Sequence, residues 1–432
     1  MKIVHVIPGA GGSFYCENCL RDIEMVRALR KMGHDVIVAP MYLPLLYDGQ
    51  CELGTSPIFY GAINVYMKQV SRLFRRTPQC VQRLLDSSIL LKWAATKAGS
   101  TRARGHEEMT LSMLRGENGN QSSELDKLVK WLGNEIKPDV VHLSNALLSG
   151  LALRIRNELG VPVVCSLQDE DTWVDAMEEE YANEVWDVLA ANAAAIDVFT
   201  PVSKFYSGIM LERLRVPADR MRVVYPGVDV EEYEIASLDF DPPVIGFLAR
   251  MTRSLGLDVL VESFIRLKKE NGFTDLKLRL AGGNTEDDRP FIDSIMRRLN
   301  DAGVAGDVES SLEIDRGSRV AFLKELDLFA VPVRQAQAFG IYVVEALAAG
   351  VPVVEPRHGA FPELVGETGS GVLYEPNDET TLTAALDSLL RDPARARELG
   401  RSGRKYAVEH LDVKIGAREM VKIYEQAVRV RS

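Results

Sequence analysis

A chain of 432 residues exceeds what a single hydrophobic core usually serves, so two domains are expected. A formal charge of −11 argues against a broad nucleic-acid surface, which needs cations to neutralise phosphates, while 46% apolar and 26% charged residues are ordinary for a globular protein. Five scattered cysteines, an odd number, and an opening that reads as a strand fit a reduced, cytoplasmic protein with no spanning segment.

The apolar run over residues 2–7 predicts a strand, residues 8–13 a glycine-rich loop, and Cys19, Ile23, Val26 and Leu29 the buried face of a helix. Residues 35–39 follow as a second strand and complete a βαβ unit. Gly9, Gly11 and Gly12 lack the third glycine of the dinucleotide fingerprint, and Val38-Ala39-Pro40 brings no acid to the end of the second strand. NAD-type chemistry is therefore not expected; close approach to a phosphate or sugar, or a tight turn alone, both account for the loop. Cys16 and Cys19 have the spacing of a redox pair, but no second pair completes a zinc site, and two ordinary thiols are the favoured reading.

Residues 66–104 carry nine lysines and arginines against the single acid Asp86, interleaved with apolar positions. An amphipathic helical insertion with a basic face is expected there, able to lie on anionic lipid, to hold an anionic acceptor, or simply to be solvated. Residues 115–123, rich in Gly, Asn and Ser, read as a flexible loop or lid. Alternation then resumes, with helices over 125–136 and 149–159 and strands over 139–143 and 162–167. His142 and the acidic run Asp169-Glu170-Asp171 fall at strand ends, where open α/β sheets bind ligands. A strand-end histidine is more often structural, and a solvated loop is the plainer alternative for the acids.

Residues 227–243, acidic and proline-ended, read as a linker between a domain over 1–226 and a second over 244–412, followed by a last helix over 413–432. In the second half, strands are expected over 244–248, 276–281, 328–331, 351–354 and 371–374, with helices between and after them. Residues 331–350 join a buried strand, an irregular loop and a helix beginning near Phe339-Gly340. Free backbone N–H groups and the helix dipole make such a junction a ready anion site. Glu345 lies about one and a half turns into the helix, where a carboxylate can accept from sugar hydroxyls.

Residues 331–350, with Gly340, Glu345, Gly350 and Pro352 in register, resemble the signature of retaining glycosyltransferases of the sucrose-synthase-like family (family 4, group 1). The resemblance extends over essentially the whole chain. It implies a GT-B fold, in the α/β class, with two Rossmann-like parallel-sheet domains facing across a cleft and the last helix crossing back to the first domain. It further implies transfer of a sugar from a UDP-, GDP- or ADP-sugar with retention, with neither metal nor cofactor. By the same resemblance Glu345 binds the nucleotide ribose, and Phe339, Gly340 and Ile341 meet the donor sugar or phosphate through their amides. Arg250, with Arg253 close by, neutralises the diphosphate, and Gly11 and Gly12 form the acceptor-side loop. At three positions the chain departs from the pattern: Gln337 stands for the first signature glutamate, Gln168 for a histidine, and Leu255 for a lysine. Gln337, Arg250 and Gln168 are the candidate catalytic positions. The three neutral residues make a GT-B-fold nucleotide-sugar-binding or regulatory protein with little transferase activity the alternative, and another nucleotide-sugar enzyme such as an epimerase a third.

Overall fold

A computed structural model describes residues 1–9, 15–42, 59–60, 105–311 and 315–431. Residue contacts divide the chain into two units. The first holds residues 1–12, 18–225 and 416–432; the second holds 13–17 and 226–415.

In the first unit, strands β1 (Lys2–Ile7), β2 (Asp35–Pro40), β3 (Val140–Leu143), β4 (Val163–Leu167) and β5 (Val198–Pro201) form one parallel sheet in the order β2-β1-β3-β4-β5. The helices between and after them are α1 (Glu17–Lys31), α2 (Glu107–Leu114), α3 (Ser122–Trp131), α4 (Ala152–Leu159), α5 (Glu170–Val174), α6 (Glu179–Asn192) and α7 (Lys204–Leu214). β3 and β4 are buried along their whole length, as expected for parallel strands covered on both faces. Ser203 caps α7 by accepting from the Tyr206 amide at 3.0 Å.

In the second unit, β6 (Val244–Leu248), β7 (Lys277–Ala281), β8 (Val308–Ser311), β9 (Leu328–Phe329), β10 (Val353–Pro356) and β11 (Gly371–Tyr374) are all parallel, in the order β11-β10-β9-β6-β7-β8. Its helices are α8 (Leu257–Lys269), α9 (Arg289–Asp301), α10 (Arg316–Lys324), α11 (Ile341–Ala348), α12 (Glu379–Leu390), α13 (Pro393–His410) and α14 (Val413–Arg431), the last running on into the first unit. The strand order reverses between β6 and β9. Ligands of doubly wound sheets bind outside the carboxyl ends of the strands at such a point.

Two segments differ from expectation. Residues 115–123 are not a lid but a packed turn: a Cβ on Gly119 would lie 1.9 Å from the Ser112 carbonyl oxygen, and one on Gly116 2.3 Å from that of Gly150. The Ser112 hydroxyl donates to Gln121 Oε1 at 2.7 Å and accepts from the Asn120 amide at 2.8 Å. The segment read as a linker, 227–243, packs onto the second unit. Tyr233, Ala236 and Leu238 are buried there, and the Ala236 amide donates to the Ala349 carbonyl at 2.9 Å. Among the described residues no helix is long and apolar enough to cross a membrane.

Candidate functional site

The loops that leave β6 and β9, residues 249–256 and 330–340, flank the reversal point of the second sheet and touch each other. The Arg334 amide donates to the Ser254 carbonyl at 2.9 Å, and its Nε to the Arg253 carbonyl at 3.1 Å. Gly256, at φ 74°, brings its Cα so near the other loop that a Cβ would stand 1.8 Å from the Pro332 oxygen. Only glycine combines that left-handed backbone with that approach.

α11 grows out of the second loop. All eight of its residues are buried, and Gly340 precedes it at φ 109°. An apolar helix buried on every side cannot hold a lone carboxylate, so Glu345 must be paired. Its Oε1 accepts from the Tyr233 hydroxyl at 2.7 Å and from Arg319 Nε at 2.9 Å, and its Oε2 accepts from the Tyr15 hydroxyl at 2.5 Å. Burial, then the charges of Glu345 and Glu17, push the Tyr15 phenol well above its ordinary value, so it stays a donor. At the start of the same helix, the Ile341 amide donates to Glu17 Oε2 at 2.8 Å. The Ile341 N–H thus meets a carboxylate of the chain itself, and Phe339 is buried.

Arg250 meets Asp288 side-on: Nε donates to Oδ2 at 2.8 Å and Nη2 to Oδ1 at 3.1 Å, with Nη2 also 2.9 Å from the Thr285 hydroxyl. Burial would raise the Asp288 carboxyl, but hydrogen bonds from Arg250 and Thr285 outweigh it and hold the group below the usual carboxylate range. Arg253 is largely exposed, 3.4 Å from Asp258 and stacked over Phe291. Arg334 reaches the same Asp258 carboxylate at 2.9 Å. Leu255 is half-buried and adds no charge; Arg334 is the cation in this loop pair that the sequence reading passed over.

Gln337 is half-buried, and its backbone rests against the turn after β10. The Ala360 amide donates to its carbonyl at 3.1 Å, and Gly359 lies so close that a Cβ would meet Gln337 N and O at 2.6 Å. In the same turn, burial pushes His358 below its ordinary value, and its Nε2 lies 3.2 Å from the Val333 oxygen. Glu355, wholly buried near the end of β10, accepts from the Val331 amide at 3.1 Å, and burial drives its carboxyl well above the ordinary value.

In the first unit, Gln168 is buried at the end of β4, with Nε2 3.2 Å from the Ser144 carbonyl, which Arg21 Nη2 also reaches at 2.8 Å. The acidic run is not solvated at its centre. Glu170 accepts from the Ala146 amide at 2.9 Å, the Gln168 amide at 2.8 Å and the Tyr206 hydroxyl at 2.7 Å, tying the ends of β3 and β4 to α7. Burial outweighs these bonds and raises its carboxyl from 4.5 to about 7. Because the folded value lies above the unfolded one, Glu170's contribution to stability is full below pH 4.5 and is lost as pH rises through about 7. Urea unfolding at pH 5 and pH 8 is expected to show the wild type losing about 2–3 kcal/mol more than Glu170→Gln across that interval. His142 lies 2.5 Å from the Tyr424 hydroxyl and 2.8 Å from that of Ser166, and burial keeps it neutral; it is structural. Cys16 and Cys19 are both half-buried. Gly11, Gly12 and the basic stretch 66–104 lie outside the described residues.

The second unit thus brings Arg250, Arg253, Phe339, Gly340, Ile341 and Glu345 to the carboxyl ends of neighbouring strands, and Gln168 belongs to the first. Sequence reading missed Tyr15, Glu17, Tyr233, Arg319 and Arg334. A carboxylate in an otherwise apolar helix was the one signal that partners had to exist.

The family model for Glycosyl transferases group 1 matches residues 231–406, and that for Glycosyltransferase Family 4 matches residues 101–232. The chain is similar to the GDP-mannose-dependent alpha-(1-6)-phosphatidylinositol monomannoside mannosyltransferase of Mycolicibacterium smegmatis, 30% identical over 50% of this chain and 58% of that enzyme. That alignment spans less than two thirds of the relative. Alpha-maltose-1-phosphate synthase of the same organism is 29% identical over 72% of this chain and 85% of its own. Among solved structures, sucrose-phosphate synthase from Thermosynechococcus elongatus superposes with a TM-score of 0.71 at 16% identity, covering 100% of both chains. Anabaena HepE in complex with UDP gives 0.69 at 15% identity, covering 99% of this chain and 100% of its own. These likenesses establish the two-domain Rossmann-like GT-B fold, and the family matches place residues 231–406 among the group 1 glycosyltransferases and residues 101–232 with Glycosyltransferase Family 4.

Proposed function

We infer that the chain transfers a sugar from a nucleoside diphosphate sugar to an acceptor hydroxyl, with retention and without a bound metal ion. The observation that carries this reading is the junction of the 249–256 and 330–340 loops at the reversal point of the second sheet, with the α11 amides and Glu345 beside it. A relative named for GDP-mannose use and a structural neighbour holding UDP support a nucleotide sugar as donor. In this scheme Glu345 accepts from the ribose, and the Phe339-Gly340-Ile341 backbone meets sugar or phosphate oxygens. Arg250 compensates charge on the leaving diphosphate, with Arg253 and Arg334 at the rim. Gln337 and Gln168 orient hydroxyls as neutral amides. Neither can take a proton, so the acceptor proton passes to the leaving phosphate oxygen. A panel of UDP-, GDP- and ADP-sugars, scored by thermal shift and by nucleotide release with candidate acceptors, tests the reading. One donor class is expected to stabilise the protein saturably and to release its nucleotide. Saturable binding with no release across acceptors would favour the binding-protein reading, and no binding of any nucleotide would sink both.

A further inference from the structure

Both contact points assigned to the donor on α11 are filled by one short stretch of the chain itself. Tyr15 places its hydroxyl on Glu345 Oε2, and Glu17 places its carboxylate on the Ile341 amide, at 2.5 and 2.8 Å. A phenol on Glu345 has the donor chemistry of a ribose hydroxyl, and a carboxylate at a helix N-terminus has the acceptor chemistry of a phosphate. The stretch is held at two further places: the Tyr15 amide donates to the Gly282 carbonyl at 2.7 Å, and the Arg319 guanidinium lies 5.9 Å from the Tyr15 ring centre. The two oxygens of Glu345 are not equivalent. Oε1 is fixed by Tyr233 and Arg319, whereas Oε2 receives the phenol of Tyr15.

We propose that Tyr15–Glu17 is an internal occupant of the donor site, so that a nucleotide sugar binds by exchange, its ribose replacing the Tyr15 phenol and its sugar or phosphate oxygens replacing the Glu17 carboxylate. This rests on the donor site proposed above. Tyr233 and Arg319 remain as positioning residues that hold Oε1 while Oε2 changes partner. Removing the phenol leaves Oε2 buried and unsatisfied in the empty protein, a deficit that an incoming ribose hydroxyl repairs. The free state is thereby raised relative to the bound one.

The test is calorimetric titration of the full chain with UDP, GDP, UDP-glucose and GDP-mannose, comparing wild type with Tyr15→Phe, Glu17→Gln and the double variant. The double variant is expected to bind the preferred nucleotide about tenfold more tightly. Unchanged or weaker binding by the folded double variant overturns the proposal, because the stretch then either does not compete or itself grips the donor. Binding by the double variant alone supports it, while no binding by any form removes the donor site and this inference with it. Hydrogen exchange on the wild type gives an independent readout. A saturating nucleotide is expected to speed exchange at the Tyr15 amide, and binding that leaves that amide as protected as before overturns the exchange.

Discussion

Replacing Glu345 with alanine is expected to destabilise the second unit by about 3–5 kcal/mol, the usual cost of stranding one member of a buried ion pair. Arg319 and Glu345 have side chains only 3% and 1% exposed, so neither can turn to water when its partner is lost. The substitution takes one acceptor at once from a guanidinium and from two buried phenols, Tyr15 and Tyr233. Thermal unfolding should show a midpoint lower by roughly 10 °C for a unit of this size. Changing both members, Glu345→Leu with Arg319→Met, is expected to cost less than Glu345→Ala alone, since no buried charge is then left unpaired. A double variant as unstable as the sum of its single changes would show that the pair is not one energetic unit.

Arg250→Met is expected to lower kcat/KM by roughly 10²–10³, the scale seen when one preorganised donor to a developing anion is removed. It should also cost about 1.5–3 kcal/mol of stability, because the Arg250 and Asp288 side chains are only 17% and 11% exposed and the change removes hydrogen bonds between charged groups. Asp288 keeps its bonds from the Thr285 amide and hydroxyl, at 2.8 and 2.9 Å. A fall in stability with no fall in kcat/KM would make Arg250 a structural residue. A steady-state assay alongside urea unfolding of the same preparation separates the two.

The parallel strands were legible because strands buried on both faces are written as runs of Val, Ile and Leu. β3, β4, β6 and β11 fall within a residue or so of where those runs lie. β8 was not legible: Val308-Glu309-Ser310-Ser311 is a largely exposed edge strand and carries no apolar run to mark it. α10, which supplies Arg319, was missed with it. Residues 227–243 gave no periodicity, since their buried side chains are set by contacts with α11 and its surroundings instead of by a repeating face. The site divides the same way. The junction at Gly340 and the unusual Glu345 could be read from one stretch of chain. The partners of Glu345 could not, because Tyr15, Tyr233 and Arg319 stand 330, 112 and 26 residues away and nothing local points to them. The pairing of Arg250 with Asp288 was hidden for the same reason.

The contact between Gly256 and Pro332 bears on any attempt to recast this protein for another donor. With the Pro332 oxygen filling the space where a Cβ would stand, and Arg334 bonded to the backbone at 253 and 254, the two loops form a single rigid plate. A segment grafted from a relative into 330–340 alone would meet a neighbour shaped for the original. Loops 249–256 and 330–340 are therefore one exchangeable part, and selectivity engineered here has to move them as a pair.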